Sequence, residues 1–158
     1  LEHRRQRQMC IRDRYAIGQQ SLDPSDFGDH VVLTPHDAEY EYLTGHRPQT
    51  NRILDVRETA AKLNMVILLK GSTTIISHPD GRCLLVNNGD QRLATAGTGD
   101  VLSGVIAGLL ARGVSPFEAA AAGAWLHAEA ANNCLAEGMI ATDIIRVLPE
   151  VLDAANVG

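Results

Sequence analysis

Between residues 31 and 69, short apolar runs alternate with stretches of helical periodicity. Residues 31–33 (VVL) and 65–69 (MVILL) are uninterrupted apolar runs, which are typical of strands buried on both faces of a sheet. Between them, residues 38–43 predict a short helix, and residues 51–63 predict a second helix with Asn51 at its N-cap. This order of elements predicts an α/β fold.

The second half of the chain predicts a hairpin followed by helices. Residues 74–77 and 83–86 are predicted strands joined by a Pro-Asp-Gly turn. Helices are predicted at 100–112, 116–136 and 141–155, the last interrupted at Pro149. We therefore expect a layered sheet covered by helices on its faces.

The first thirty residues differ from the rest of the chain. Residues 1–14 carry five arginines against two acids, without periodicity, and are predicted to be a foreign or disordered segment; residues 15–30 predict a loop. The folded domain is expected over 31–158. Residues 1–14 have a net charge of +3 and the whole chain has −5, so the 144 residues after them sum to −8, which argues against a nucleic-acid partner.

Composition narrows the class of protein further. Apolar residues make up 45% and charged residues 21%, as in ordinary globular proteins, and no apolar run is long enough for a membrane helix. The cysteines Cys10, Cys83 and Cys134 form no C-x-x-C pair and predict reduced thiols. With no signal-like start, the prediction is a cytoplasmic protein.

Three polar motifs follow predicted strands or open a helix. They are Thr34-Pro35-His36, Lys70-Gly71, and the glycine-rich turn before Asp100. Ligands of open α/β sheets bind beyond the carboxyl ends of the strands, so we expect one site that contains all three motifs.

The glycine-rich turn (AGTGD) predicts an anion hole. Gly97 and Thr98 precede a helix N-terminus, where unpaired N–H groups and the helix dipole favour a phosphate. It lacks the Walker pattern of a phosphate loop. Asp100 beside it is a candidate general base. The alternative is a plain turn in which Asp100 only stabilises the helix.

The other two motifs also have structural alternatives. Lys70 offers positive charge and the following Ser and Thr residues offer donors to a phosphate or ribose, or the segment is only the end of a strand. His36 is either a polar substrate contact or part of a helix start capped by Thr34. His36 and Glu39 alone are too few ligands for a metal site.

Two features of the predicted helices have structural interpretations. Gly104 and Gly108 predict close packing of their helix against the sheet. His127, in an alanine-rich helix, is predicted to be a core or interface residue rather than a catalytic one.

The motifs TPH-x-x-E, KG-x-x-T and GTGD, in this order over residues 30–155, resemble those of the ADP-dependent NAD(P)H-hydrate dehydratases of the ribokinase-like superfamily. The resemblance implies a lyase that removes water from the S form of a damaged NADH or NADPH, with ADP or ATP as co-substrate and Mg²⁺ bridging its phosphates. No residue stands out as the metal ligand.

The resemblance also assigns residues to roles. Asp100 falls on the catalytic base and substrate contact, and His36 on a second substrate contact. The nucleotide-binding positions are Lys70, Gly71, Ser72, Thr73, Thr74 and Gly99, and the anion hole is Gly97 and Thr98.

The chain departs from the family pattern in three respects, and each departure leads to a further expectation. Ala96 stands where the family has glycine, which would cost about 1 kcal/mol if that position needs positive φ. Asp37 adds a negative charge near an anionic substrate. Family members have a further N-terminal half, so this chain is expected to be a C-terminal part with an incomplete sheet, and the full-length protein to be a homo-oligomer.

Two other functions remain open from the sequence. A ribokinase-like small-molecule kinase would use the same Asp100 and anion hole. A catalytically silent nucleotide-binding module would keep the fold without needing the carboxylate.

Overall fold

The computed structural model describes residues 10–11, 31–135 and 137–155. Within these residues one sheet has five strands in the order β1-β2-β3-β4-β5. The strands β1, β2 and β3 are parallel, and β4 and β5 continue the sheet as an antiparallel hairpin. The strands are β1 (Cys10–Ile11), β2 (Val32–Leu33), β3 (Val66–Leu69), β4 (Thr74–Ser77) and β5 (Cys83–Val86).

Five α-helices accompany the sheet in the described ranges. They are α1 (Asp37–Thr44), α2 (Arg52–Leu63), α3 (Thr98–Ala111), α4 (Pro116–Asn132) and α5 (Ala141–Ala155), and a 3₁₀ turn (Gln91–Ala94) precedes α3. The predicted N-cap is confirmed, because the Leu54 N–H donates to Asn51 Oδ1 at 3.2 Å. These elements confirm the α/β prediction.

The sheet is covered on both faces because its central strand is apolar at every position. Val66 and Leu68 of β3 join a core with α3 and α4, whereas Ile67 and Leu69 join a second core with α1 and α2. Helix α5 packs on α4 in a third cluster that includes Ile144. The layers are therefore α1 and α2, the sheet, α3 and α4, and then α5.

Helix α5 runs through Pro149 without a break, so the predicted interruption is wrong. Proline removes one backbone donor and crowds the preceding turn. Ile144 and Val151, buried on either side of it, hold both halves against the neighbouring helices, and this packing outweighs the local preference.

The close-packed glycine lies in α4 and not in α3. Among the described residues, a Cβ added at Gly104 or Gly108 would meet nothing within 4 Å, so the predicted packing of these two residues against the sheet is wrong. A Cβ at Gly123 would lie 2.6 Å from Cγ1 of Ile106. Gly123 is thus where α4 approaches α3 most closely among these positions.

Little of the N-terminal prediction falls on described residues. Within 1–14, Cys10 and Ile11 pair with Val32 and Leu33 in parallel register, and the loop predicted at 15–30 lies outside the described residues. The proposed division of the chain at residues 14 and 30 stays a prediction. In the part of the chain that is described, no helix is both long and apolar enough to cross a membrane.

Candidate active site

A cavity of about 970 Å³ lies where β2 and β3 end and α3 begins. The polypeptide that follows the two strands is tied together there, since the Lys70 N–H donates to the Pro35 carbonyl at 2.8 Å. Of the ten predicted site residues, all but Thr73 line this cavity: His36, Lys70, Gly71, Ser72, Thr74, Gly97, Thr98, Gly99 and Asp100. The three motifs predicted to share a site therefore border one space.

His36 begins helix α1 as part of a capping box. The Glu39 N–H donates to His36 Nδ1 at 3.1 Å, and the His36 N–H donates to Glu39 Oε2 at 2.8 Å. The N-cap is His36, so the alternative in which Thr34 caps this helix is wrong. Reciprocal capping satisfies two orphan donors of the helix and fixes the imidazole at the rim of the cavity.

Glu39 links this cap to the lysine of the second motif. Its Oε2 lies 3.3 Å from Lys70 Nζ, and its Oε1 lies 3.5 Å from His36 Nε2. Burial tends to raise the pKa of Glu39, but the hydrogen bond from the His36 backbone and the nearby Lys70 charge outweigh it, so the pKa lies below its ordinary value. An ionised Glu39 thus orients Lys70 within the cavity.

Glu39 was not among the predicted site residues. The signal was present in its spacing, because a carboxylate three residues after an N-cap is the second half of a capping box. What the spacing did not reveal is the contact with Lys70, which is 31 positions away in the chain.

The extra negative charge of Asp37 is balanced locally. Its carboxylate accepts two hydrogen bonds from Arg52, at 2.6 and 3.0 Å. The hydrogen bond from Arg52 lowers the pKa of Asp37, with the guanidinium charge adding to the effect. The Arg52 guanidinium, held in a bidentate pair, therefore opposes the repulsion that Asp37 would add toward an anionic ligand.

The glycine-rich turn takes its special conformation at Gly97. This residue is the N-cap of α3 with φ +88°, and, being glycine, it offers no side-chain cap to the helix. Ala96 is not among the described residues with positive φ, so the strain considered for an alanine there does not arise. The Thr98 hydroxyl donates to the Leu93 and Thr95 carbonyls at 2.6 and 2.8 Å, which anchors the turn.

The start of helix α3 lies next to Lys70. A Cβ on Gly99 would be 3.6 Å from Lys70 Nζ, so the ammonium group and the first turn of α3 face the same part of the cavity. A positive side chain beside a helix N-terminus is the arrangement that binds phosphate. Asp100 follows directly, exposed on the first turn of α3.

His127 lines the same cavity from helix α4. It is buried, with 5% of its surface exposed, which agrees with the predicted core position. Burial lowers the pKa of His127 to about 4, with the Lys70 charge adding to the shift and a hydrogen bond to the Thr98 backbone opposing it. The imidazole is therefore neutral at pH 7.

Helix α4 contributes to the cavity along one face. Ala124, His127 and Ala128 all line it, and their spacing of three and four places them on one side of the helix. In the sequence, the residues of this face form a pattern typical of a helix packed in the core. Among the described residues, no three His, Cys, Asp or Glu side chains are grouped to hold a metal ion.

Comparison with known proteins identifies the family. The family model described as NAD(P)H-hydrate dehydratase matches residues 4–150. The ADP-dependent (S)-NAD(P)H-hydrate dehydratase of Neisseria meningitidis serogroup B is 42% identical over 123 residues, which is 73% of this chain and 42% of that protein.

Two solved structures share the fold. The ADP/ATP-dependent NAD(P)H-hydrate dehydratase from Bacillus subtilis, co-crystallized with ATP/Mg²⁺, matches with a TM-score of 0.72 and 36% identity over 78% of this chain and 47% of that one. A ribokinase-like superfamily protein from Enterococcus faecalis V583 matches with a TM-score of 0.77 and 30% identity over 89% of this chain and 50% of that one. The chain thus spans half or less of the length of these relatives. It belongs to the NAD(P)H-hydrate dehydratase family and has the ribokinase-like α/β fold.

Proposed function

We propose that the whole protein dehydrates the S form of NAD(P)H hydrate with ADP, or ATP, as co-substrate and so regenerates NADH or NADPH. The observation that carries this proposal is the single cavity in which Lys70, the start of α3 and Asp100 meet. The names of the relatives support the same reaction.

The nucleotide-binding part is formed by the segment after β3 and by the start of α3. Lys70 supplies the charge, held toward Gly99 by its ion pair with Glu39. Gly71, Ser72, Thr73 and Thr74 are proposed to complete the nucleotide contacts, and the backbone of Gly97 and Thr98 the anion hole. Backbone and hydroxyl donors of this kind bind phosphate oxygens without adding negative charge.

Asp100 and His36 are proposed to bind the hydrate. Hydroxide is a poor leaving group, so the hydroxyl oxygen is expected to take the terminal phosphoryl group of the nucleotide and to leave as phosphate. Asp100 accepts the hydroxyl proton during the transfer, and the nucleotide leaves with one phosphate fewer, AMP from ADP. The electron pair of the neighbouring C–H bond then forms the ring double bond as phosphate departs, and the proton of that bond passes to solvent water. A positioned carboxylate contributes to such steps by general-base catalysis.

The donor chemistry of the cavity fits Mg²⁺ bound together with a nucleotide. Mg²⁺ is usually held by one or two carboxylates plus phosphates and water, and the carboxylates of Glu39 and Asp100 border this cavity. The ion would neutralise charge on the transferred phosphoryl group.

We also propose that the full-length protein is a cytoplasmic homo-oligomer. The free thiols of Cys83 and Cys134 suit a reducing compartment. Leu84 and Leu85 on the edge strand β5 are 46% and 51% exposed, and exposed apolar edges are commonly covered by association. Light scattering of the full-length protein would measure the oligomeric state.

The decisive experiment is a hydrate-repair assay on the full-length protein and its Asp100→Asn variant. We expect the rate of NADH recovery to fall by about 10²–10⁴-fold with ADP binding retained, because only the base is removed. Asp153→Asn, an exposed residue of α5, serves as the matched control and should keep full activity.

Two results would contradict this proposal. Full activity in the Asp100→Asn variant would exclude Asp100 as the base. A stable phosphorylated product without recovered NADH would favour the small-molecule kinase, which requires the same carboxylate.

A further inference from the structure

The guanidinium of Arg52 lies beside the segment that follows β3. A Cβ added at Gly71 would be 3.4 Å from Arg52 Nη2 and 3.3 Å from the carbonyl oxygen of Thr73, so the guanidinium occupies the space into which a side chain at position 71 would extend. Gly71 borders the cavity, whereas Arg52 is not one of its lining residues. Arg52 therefore contacts this segment from outside the cavity.

The glycine at position 71 fits this close approach. Gly71 is not among the described glycines with positive φ, so its backbone conformation is open to other residues. A side chain there would meet the Arg52 guanidinium and the Thr73 carbonyl. Lack of space, and not backbone conformation, therefore favours glycine at this position.

Arg52 is held in place by Asp37, the residue that follows His36. The Asp37 carboxylate accepts hydrogen bonds from Arg52 Nη2 at 2.6 Å and from Nη1 at 3.0 Å. This contact raises the pKa of Arg52 and lowers the pKa of Asp37, so both groups are charged at neutral pH. Two such bonds fix the plane of a guanidinium. The pair thus connects the start of α1 with the segment after β3.

The stability of the fold does not account for this arrangement. Arg52 is the first residue of α2, where a positive charge opposes the helix dipole. The Arg52 and Asp37 side chains are 35% and 49% exposed, and ion pairs that are open to solvent contribute little to stability. The consequence of the pair is therefore sought in the segment that it contacts.

We propose that Arg52, held by Asp37, is a positioning residue for the nucleotide, because it fixes the backbone of residues 71–73 in the conformation that contacts ADP. This inference rests on the proposed function, in which that segment binds the nucleotide. Arg52 acts through the segment and does not itself touch the ligand. A binding segment that is ordered in advance loses less entropy when the ligand arrives, so the pair increases the affinity for ADP.

Three substitutions separate positioning from charge. Arg52→Lys keeps the positive charge but loses the planar fork, and Arg52→Met loses both. Asp37→Asn removes a negative charge, which by itself would tighten the binding of an anion, and also breaks the two-pronged contact. Calorimetry of the full-length protein with Mg²⁺ and ADP should give a Kd about tenfold higher for each variant.

Arg47→Lys is the matched control for these variants. Arg47 pairs with Glu41 of α1 at 2.9 Å, and neither residue lines the cavity, so this variant should bind ADP as the wild type does. In the repair assay, Arg52→Lys should raise the KM for ADP and leave kcat and the KM for the hydrate within about twofold. Damage to the fold would instead lower the melting temperature and change all three constants.

A double-mutant cycle tests the contact between Arg52 and Gly71. Gly71→Ala should raise the Kd for ADP in the wild-type background, because the new Cβ meets the guanidinium. In the Arg52→Ala background that neighbour is absent, so the same substitution should weaken binding much less. An equal loss of affinity in both backgrounds would contradict the contact.

Two other results would overturn the proposal. Wild-type affinity in Arg52→Lys would mean that charge alone is needed at this position, and tighter binding in Asp37→Asn would mean that the carboxylate only repels the ligand. Circular dichroism establishes that each variant is folded. If Arg52→Met is not, the Arg52→Lys and Asp37→Asn variants decide the outcome.

The outcomes keep this inference separate from the proposed activity. ADP binding that depends on Arg52, without recovery of NADH by the wild type in the repair assay, would count against the dehydratase and support the positioning role. A full-length wild-type protein that binds no adenine nucleotide would overturn both.

Discussion

At the scale of single residues, the buried imidazole of His127 makes stability depend on pH. Its pKa is about 4 in the folded chain and about 6.5 in an unfolded one. Between these values the unfolded state binds more protons, so stability falls as pH drops from 6.5 toward 4 and is flat above that window. The lost stability is about 3 kcal/mol at most.

Urea unfolding of the wild type and of His127→Gln between pH 4 and pH 7 measures this effect. The wild type should lose more stability than the variant over that range. Asp37 and Glu39 have lowered pKa values and lose their contributions at lower pH, equally in both proteins. Parallel stability curves would show that His127 is not buried in its neutral form.

Nine of the ten residues selected from the motifs line the cavity, but the contacts between the motifs did not follow from the sequence. Spacing placed His36, Lys70 and Gly99 at strand ends and at a helix start, where ligands bind. It did not reveal the Glu39–Lys70 ion pair or the place of His127 in the cavity. Those contacts join positions far apart in the chain, and single-sequence periodicity contains no such information.

At the scale of elements, two glycines in adjacent helices should respond to alanine in opposite ways. Gly123→Ala places a Cβ 2.6 Å from Cγ1 of Ile106, so we expect α4 to be pushed from α3 at a cost of about 1–3 kcal/mol. Gly104→Ala in α3 meets no neighbour within 4 Å and should stabilise the helix by roughly 0.5–1 kcal/mol.

Thermal melting of both variants beside the wild type measures the difference. A lower melting temperature for Gly123→Ala and a higher one for Gly104→Ala are expected. Equal changes in melting temperature for the two variants would mean that helix propensity alone determines the effect of alanine, and that α4 does not approach α3 closely at Gly123.

The local patterns of the sequence predicted the positions of the helices and strands. Two predictions about the interior of helices were wrong, and both have the same cause. The predicted break at Pro149 and the predicted packing of Gly104 and Gly108 each rested on a residue's own preference. In the folded chain, tertiary packing determines both. Buried residues on either side of Pro149 hold α5 against its neighbours, whereas a Cβ at Gly104 or Gly108 would meet no atom of the described residues within 4 Å.

At the scale of the whole molecule, the cavity joins two separate parts of the fold. One wall follows β2 and β3, and the other is formed by α3 and α4. A nucleotide bound between them stabilises the native state by RT ln(1 + [L]/Kd), about 2.7 kcal/mol at a hundredfold excess over Kd. We expect Mg²⁺ with ADP to raise the melting temperature by about 5–10 °C.

Lys70→Ala provides the control for this shift. The variant removes the charge beside the start of α3 and should melt at nearly the same temperature with and without ADP. An equal shift in the variant would mean that ADP binds elsewhere, and no shift in the wild type would contradict a nucleotide site in this cavity.

The amino-acid sequence by itself determined the class of fold and the chemistry available to it. Apolar runs, helical periodicity and turn residues act over a few positions, so they specify strands, helices and the motifs at their ends. Only the tertiary structure decided which side chains meet. Glu39 orients Lys70 because β2 and β3 pair, and His127 borders the cavity because α4 packs across α3. Both contacts follow from the burial of apolar faces, which acts between distant segments.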